Sequence, residues 1–170
     1  MTAPATPNSP TPSATPPAIP QWQANLDKLG LTLPEVAAPV AAYIPAVRSG
    51  SLVYTSGQIP FVKGELPWIG KAGADISLDE AAKAAEACAL NALAAIHALV
   101  GLDNVVRIVK VTGFVASAPG FTDQPLVING ASEFLGEVFG PAGVHARAAV
   151  GVAELPRGVP VEVEVIAEVR

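Results

Sequence analysis

The sequence predicts an α+β domain in which one sheet carries helices on a single face. Three observations support this. The 170 residues are 51 % hydrophobic and 15 % charged, with a mean hydropathy of +0.44, a composition that builds a packed core rather than a disordered chain or a coiled coil. The hydrophobic pattern switches between strand-like and helix-like periods in the order ββ-α-β-α-ββ. Two helices cover only one face of such a sheet, and the other face still carries aliphatic side chains. An apolar face of that size needs a partner, so the pattern also predicts a closed homo-oligomer.

Residues 1–20 hold seven of the 17 prolines and no charged, glycine or aromatic residue, the composition of a flexible Pro/Ala/Thr-rich tail. Residues 21–38 read as a helix and linker: Trp22, Leu26 and Leu29 share one helical face and Gly30 supplies a stop. The main domain is expected over 39–170. Ala41–Arg48 and Leu52–Ser56 flank Ser49-Gly50-Ser51, a hairpin signal. Pro60, Gly64, Pro67, Gly70 and Gly73 mark 60–76 as a loop. Ser77-Leu78-Asp79-Glu80 is a capping box. It opens a helix that runs to Val100, in which ten of 23 residues (78–100) are alanine, and Gly101 stops it. Val105–Ser117 is a strand and Gln124–Phe139 a second helix. His145–Glu154 and Val159–Val169 are two more strands joined at Leu155-Pro156-Arg157-Gly158.

Composition also narrows the function. A net charge of −5 and a pI near 4.9 argue against nucleic acid and anionic membranes as partners. The single cysteine, Cys88, excludes a disulfide framework and a cysteine zinc site, and His97 and His145 leave little for any other metal. The most apolar stretch, Ala87–Val100, contains Asn91 and His97 and falls short of the roughly 20 apolar residues of a membrane span. With no basic residue before Lys28, the N-terminus does not read as a signal peptide, and the expected location is cytoplasmic.

The last two strands present the most specific chemistry. Read as a hairpin, they unite two valine stripes on one face and place Arg147 with Glu162 and Glu164 on the other. A four-residue loop over Glu154–Arg157 puts Ala149 opposite Glu162 and Arg147 opposite Glu164; a two-residue loop shifts each pairing by two positions. Two readings stand side by side. One is a structural Arg–Glu bridge, since a buried arginine must be paired. The other is a planar cation held for a substrate carboxylate, with a glutamate handling a proton. By the same parity His145 shares a face with Arg147, as a hydrogen-bonding residue or a contributor to the site.

Four stretches together resemble the reactive-intermediate deaminase family, also called the YjgF or Rid family. They are Tyr43–Gly57 ending in Thr55-Ser56-Gly57-Gln58-Ile59-Pro60, then Val127-Ile128-Asn129-Gly130, then Ala146-Arg147 with a small-residue strand, and Leu155-Pro156 followed by Val161-Glu162-Val163-Glu164. The resemblance covers about residues 40–170. It implies a chorismate-mutase-like fold, a trimeric barrel with sites between subunits, and hydrolysis of enamines and imines such as 2-aminoacrylate to 2-oxo acids and ammonia, without cofactor or metal. Carried over by position, Arg147 binds the carboxylate of a small imino or oxo acid and Glu162 stands by the attacking water. Ser56 and the Gly57 backbone line the pocket, with Tyr43 and Asn129 at its rim. Ala149 stands where the best-known branch has cysteine and His145 where it has proline, so the chain resembles a side branch. Glu164, His145 and Ala149 are secondary candidates.

The alternative function is a non-catalytic small-molecule-binding or regulatory protein on the same trimeric scaffold. Endoribonuclease activity, attached to the family's older names, is a third reading, opposed by the net charge of −5. Among the remaining residues, Cys88 reads as core, Ser56 lacks the surroundings of a nucleophile, and Trp68 is a loop anchor or a pocket lid. Gly130, which costs about 1 kcal/mol in a helix relative to alanine, marks a close approach or a tolerated irregularity.

Overall fold

The structure is a computed structural model and describes residues 20–36 and 42–170. The expected tail over 1–20 lies outside the described residues apart from Pro20. The elements are α1 (Gln21–Lys28), β1 (Ala46–Ser49), β2 (Leu52–Thr55), α2 (Leu78–Val100), β3 (Val105–Ala116), α3 (Gln124–Phe139), β4 (Ala146–Val152) and β5 (Val161–Val169). From β1 onward this is the ββ-α-β-α-ββ order that the hydrophobic periods give. Together they form the α+β fold of a mixed five-stranded sheet.

Local chemistry explains the elements. β1 and β2 close through a two-residue loop with Gly50 at φ 60°, a conformation that the primed hairpin turns need and glycine adopts freely. Ser77 Oγ accepts from the Glu80 N–H at 3.3 Å while Glu80 Oε2 accepts from the Ser77 N–H at 3.0 Å, so the capping box of α2 is complete. α2 is, among the described residues, the helix long and apolar enough to cross a membrane by length and composition; half of its most apolar stretch is buried in the protein. Its alanines Ala84, Ala85, Ala89 and Ala92 are wholly buried, which lets the helix settle onto the sheet. Gly130 is explained by the same packing: a side chain there would collide with the backbone carbonyl of Ala82, so α3 crosses α2 where neither helix carries bulk. α1 docks against α3. Leu26 is buried, Asn25 Nδ2 donates to the Val138 carbonyl at 2.9 Å, and Trp22 Nε1 donates to Asp103 Oδ1 at 2.9 Å.

The core lies between the helices and one sheet face. Val161, Val163, Val165, Ala167 and Val169 of β5 point into it, beside Ile108, Val111 and Val115 of β3 and Val127, Ile128 and Leu135 of α3. Each fully buried valine or leucine contributes about 1.5–3 kcal/mol, which fixes the register of β5 more firmly than its hydrogen bonds could.

The sheet order β1-β2-β5-β3-β4 corrects one expectation. The last two strands do not form a hairpin. β3 lies between them, antiparallel to β5 and parallel to β4. The connection 153–160 crosses the end of β3: the Ala116 N–H bonds to the Pro160 carbonyl at 2.9 Å and the Ser117 N–H to the Val152 carbonyl at 3.1 Å. The turn at Pro156–Gly158, with Arg157 at φ 59°, carries this crossing instead of a tight reversal.

Among the described residues, no helix lies over the other sheet face. One row across it is Val47, Tyr54, Ile166, Lys110 and Ala146; another is Glu162, Phe114 and Val150. Val47, Tyr54 and Val150 are exposed. The valine stripe of β4 therefore joins the glutamates on this open face, not the buried valines of β5.

Candidate functional site

The interposed β3 separates the expected site residues into two groups. Arg147 stands beside Val111, and Val111 opposite Val165, so Arg147 belongs to the helix-covered face. Glu164 stands opposite Thr112, which lies beside Ala148, and Glu162 opposite Phe114; both carboxylates are on the open face. The expected pairings of Arg147 with Glu164 and of Ala149 with Glu162 are thus overturned. So is an Arg–Glu bridge across these strands: the ion pairs among the described residues are Lys71–Glu154 at 2.7 Å and Arg107–Glu168 at 2.8 Å.

The first group surrounds Glu162. The segment after β2 is tied to β5 by Gln58 and Val163, whose N–H groups and carbonyls exchange bonds of 2.9 and 3.0 Å. From the helix side, Asn91 Nδ2 donates to the carbonyls of Ile59 and Phe61. This fastening brings Gly57 against the Glu162 side chain so closely that a β-carbon at Gly57 would overlap the carboxylate. Ser56 is held by its own N–H on the Pro45 carbonyl and by Oγ donating to the Ile44 carbonyl at 2.7 Å. Tyr43, 46 % exposed, precedes Ile44 in the same strip. Glu162 is half-buried; burial first, and the Glu164 carboxylate second, push its pKa above the ordinary glutamate value. Glu164 itself is exposed.

The second group surrounds Arg147. The turn Gly140–Gly143 returns the chain from α3 into β4, so residues on the flank of α3 meet the first residues of β4. Arg147 Nη1 donates to Asn129 Oδ1 at 2.8 Å and to Ser132 Oγ at 3.2 Å. His145 Nε2 lies 3.0 Å from Ser132 Oγ and Nδ1 lies 2.6 Å from the Gly143 carbonyl. The parity expected for His145 and Arg147 thus holds: both reach Ser132. Ala149 follows on the same face, beside Gly113, packed on the rim of the core. Gly113 carries no side chain where the end of Ile128 presses in. Ser132 was not a candidate from the sequence. Its spacing from Asn129, three residues along one helix, places both on one flank and is the signal that could have found it.

The other features take their places around this frame. Cys88 is buried, and burial drives its thiol pKa well above the ordinary value, so the residue is inert core. Trp68 is partly buried against the core, as an anchor of its loop is. Among the described residues no group of three or more His, Cys, Asp or Glu could hold a metal ion. A groove of about 870 Å³ opens elsewhere, between residues 30–36, the loop 61–64 and Ala87, Leu90 and Asn91 of α2; none of the candidate residues lines it. Chemically, one chain offers a cation held by neutral partners at one sheet edge, and a carboxylate of raised pKa on the opposite face.

Comparison with known proteins agrees with this fold. The family described as "YjgF/chorismate mutase-like, putative endoribonuclease" matches residues 23–169. Protein TCP17 of Trypanosoma cruzi is 46 % identical over 147 residues, covering 85 % of this chain and 92 % of that protein. The crystal structure of Atu1372, a protein of unknown function from Agrobacterium tumefaciens, superposes with a TM-score of 0.83 at 44 % identity over 88 % of this chain and 92 % of that one. The structure of E. coli TdcF with bound serine superposes with a TM-score of 0.58 at 28 % identity, over 80 % of this chain and 94 % of that one. The chain belongs to the YjgF/RidA family, with its chorismate-mutase-like fold.

Proposed function

We propose that the protein hydrolyses reactive enamine and imine intermediates to 2-oxo acids and ammonia, as a homotrimer whose sites lie between subunits. The observation that carries this reading is the state of Arg147. No carboxylate pairs with it among the described residues, and only Nη1 is engaged, by the uncharged acceptors Asn129 and Ser132. Its charge is not neutralised, and its remaining N–H groups are free for the two-point grip that a planar guanidinium makes on a carboxylate. That TdcF holds serine, a small α-carboxylate, is consistent with such a ligand.

A complete site on this reading combines Arg147 of one subunit with Glu162, Ser56, Gly57 and Tyr43 of the next, since one chain keeps the two groups on opposite sheet faces. The exposed Val47, Tyr54 and Val150 of the open face supply apolar surface for that association. The substrate's imine carbon is already electrophilic. Held by its carboxylate beside a water, it needs orientation, which alone is worth several kcal/mol. Glu162, its pKa raised, takes a proton from the water as the oxygen adds to the carbon. Starting from the protonated imine this gives the neutral carbinolamine; Glu162 returns its proton to the nitrogen, the C–N bond breaks as ammonia leaves, and the hydroxyl proton passes to solvent, which leaves the 2-oxo acid. An enamine enters by protonation on carbon to the imine. RNA cleavage fits less well, because the net charge of −5 repels a polyanion.

The test uses an amino-acid oxidase to generate imines in the presence of semicarbazide. Added protein should reduce the trapped semicarbazone in proportion to its concentration. Binding of a 2-oxo acid without any effect on the trap would instead identify a non-catalytic small-molecule binder.

A further inference from the structure

We propose that Ser132 and His145 are positioning residues that set the orientation of the Arg147 guanidinium; the inference rests on the carboxylate-binding reading of Arg147 and extends it. For the neutral imidazole, the Gly143 carbonyl sets the directions of the hydrogen bonds. The Gly143 carbonyl can only accept, so His145 Nδ1, 2.6 Å away, carries the hydrogen. In the neutral ring Nε2 is then the acceptor, and the Ser132 hydroxyl donates to it across 3.0 Å. With its hydrogen committed there, Ser132 Oγ turns lone pairs toward Arg147 Nη1 at 3.2 Å. The relay thus runs in one sense, from the guanidinium through the hydroxyl and the imidazole to a backbone carbonyl.

The anchor of this relay is rigid. Gly143 is buried, and a side chain on it would strike the backbone carbonyl of Leu135, so the turn is pressed onto α3. Ser132 stands on α3 and His145 and Arg147 at the start of β4, so the relay fixes the arginine relative to two elements. Asn129 Oδ1 takes the same Nη1 group at 2.8 Å from the next turn of the helix. Two acceptors on one nitrogen define the plane of the guanidinium and leave Nε and Nη2 to face a ligand. Preorganisation of this kind acts on ligand affinity rather than on the hydrolytic step, because the relay touches neither the water nor the imine carbon.

The experiment compares Ser132→Ala, Ser132→Thr and His145→Phe with the wild-type full-length protein. Arginine-selective 15N NMR reads the rotation of the Arg147 Nη groups, calorimetry reads the Kd for 2-oxobutanoate, and the semicarbazide assay gives KM and kcat. Ser132→Ala should speed Nη rotation and raise both Kd and KM by about tenfold, the loss of one charge-assisted hydrogen bond, with kcat within about twofold. Ser132→Thr keeps the hydroxyl and should restore the wild-type values, and His145→Phe should shift Kd in the same direction as Ser132→Ala. An Arg147 signal and a Kd unchanged in Ser132→Ala would overturn the proposal, as would a fall in kcat at constant KM. If the wild-type protein neither binds the oxo acid nor shortens the life of an imine, the deaminase reading fails, while Nη rotation still decides whether the relay holds the arginine.

Discussion

Arg147 and Glu162 occupy opposite faces of one sheet: Arg147 lies beside Val111 on the helix-covered side, and Glu162 lies opposite Phe114 on the open side. Because β3 runs between their strands, neither residue neutralises the other, and each is left with capacity for a different contact. Arg147 keeps its charge among neutral partners, and Glu162 keeps a raised pKa against Gly57.

The first consequence concerns the Arg147→Ala variant. An arginine bridged to a buried glutamate would strand that glutamate on removal and lower stability by roughly 3–5 kcal/mol. Here no carboxylate depends on it among the described residues. Arg147→Ala should therefore melt within a few degrees of the wild type while losing turnover. Arg147→Lys should also fail, because an ammonium cannot make the two-point contact, at a cost of about 2–5 kcal/mol in substrate binding. A melting curve and a trap assay on the same two variants decide it.

A second expectation follows from the opposite faces. If the site joins two subunits, Arg147→Ala and Glu162→Gln chains are each inactive but complementary. Unfolded together and refolded at equal concentration, they should form mixed trimers in which about one site in four has both native residues, by the statistics of a closed ring with one heterologous interface. Activity near a quarter of the wild type is the expected outcome. Two inactive proteins that remain inactive on mixing, with mixed trimers verified by mass spectrometry, would show that no site is shared between subunits.

The pH dependence carries a definite sign. Burial, then the Glu164 charge, raises the Glu162 pKa in the folded protein. Between the unfolded and the raised folded value the native state binds more protons, so this group makes stability fall as pH rises through that window and leaves a constant penalty above it. Glu162→Gln should thus melt later than the wild type at neutral pH and show no such gain below the ordinary glutamate range. The same variant should lose hydrolysis. In the wild type, the acid limb of the rate profile should have its midpoint above that of an ordinary glutamate.

How much of this was legible in the sequence depends on how local each signal is. The Ser77–Glu80 capping box, the Gly50 turn and the two helices are written within a few residues and appear where the sequence indicates them. The strand order is not local. Residues 153–160 read as a hairpin connection, and only the packing of β3 against both flanking strands shows that they cross its end. A parity argument inherits that error in full: across β3 the even-numbered residues of β4 share a face with the even-numbered residues of β5, where a hairpin with an even loop would pair even with odd. Arg147 stands out in the sequence, but the structure gives it Asn129 and Ser132 for company in place of the glutamates. Ser132, a serine in mid-helix, gives no signal until the turn at Gly140–Gly143 folds β4 back beside it.

Gly130 supplies a prediction about the scaffold that positions Asn129 and Ser132. On helix propensity alone, Gly130→Ala should stabilise by about 1 kcal/mol. The structure reverses that sign, because the added methyl group meets the backbone carbonyl of Ala82 rather than a flexible side-chain end. A backbone atom in the second turn of α2 cannot move without shifting the neighbouring alanines that seat the helix on the sheet. Overpacking of this kind costs typically 1–3 kcal/mol, which exceeds the gain. Gly130→Ala should therefore lower the melting temperature. Because α3 is pushed away from α2, it should also disturb the Asn129 and Ser132 contacts to Arg147 and weaken 2-oxo acid binding. A variant that melts later than the wild type would mean that the two helices separate at this point without strain, and the close crossing at Ala82 would then not hold the arginine's partners in place.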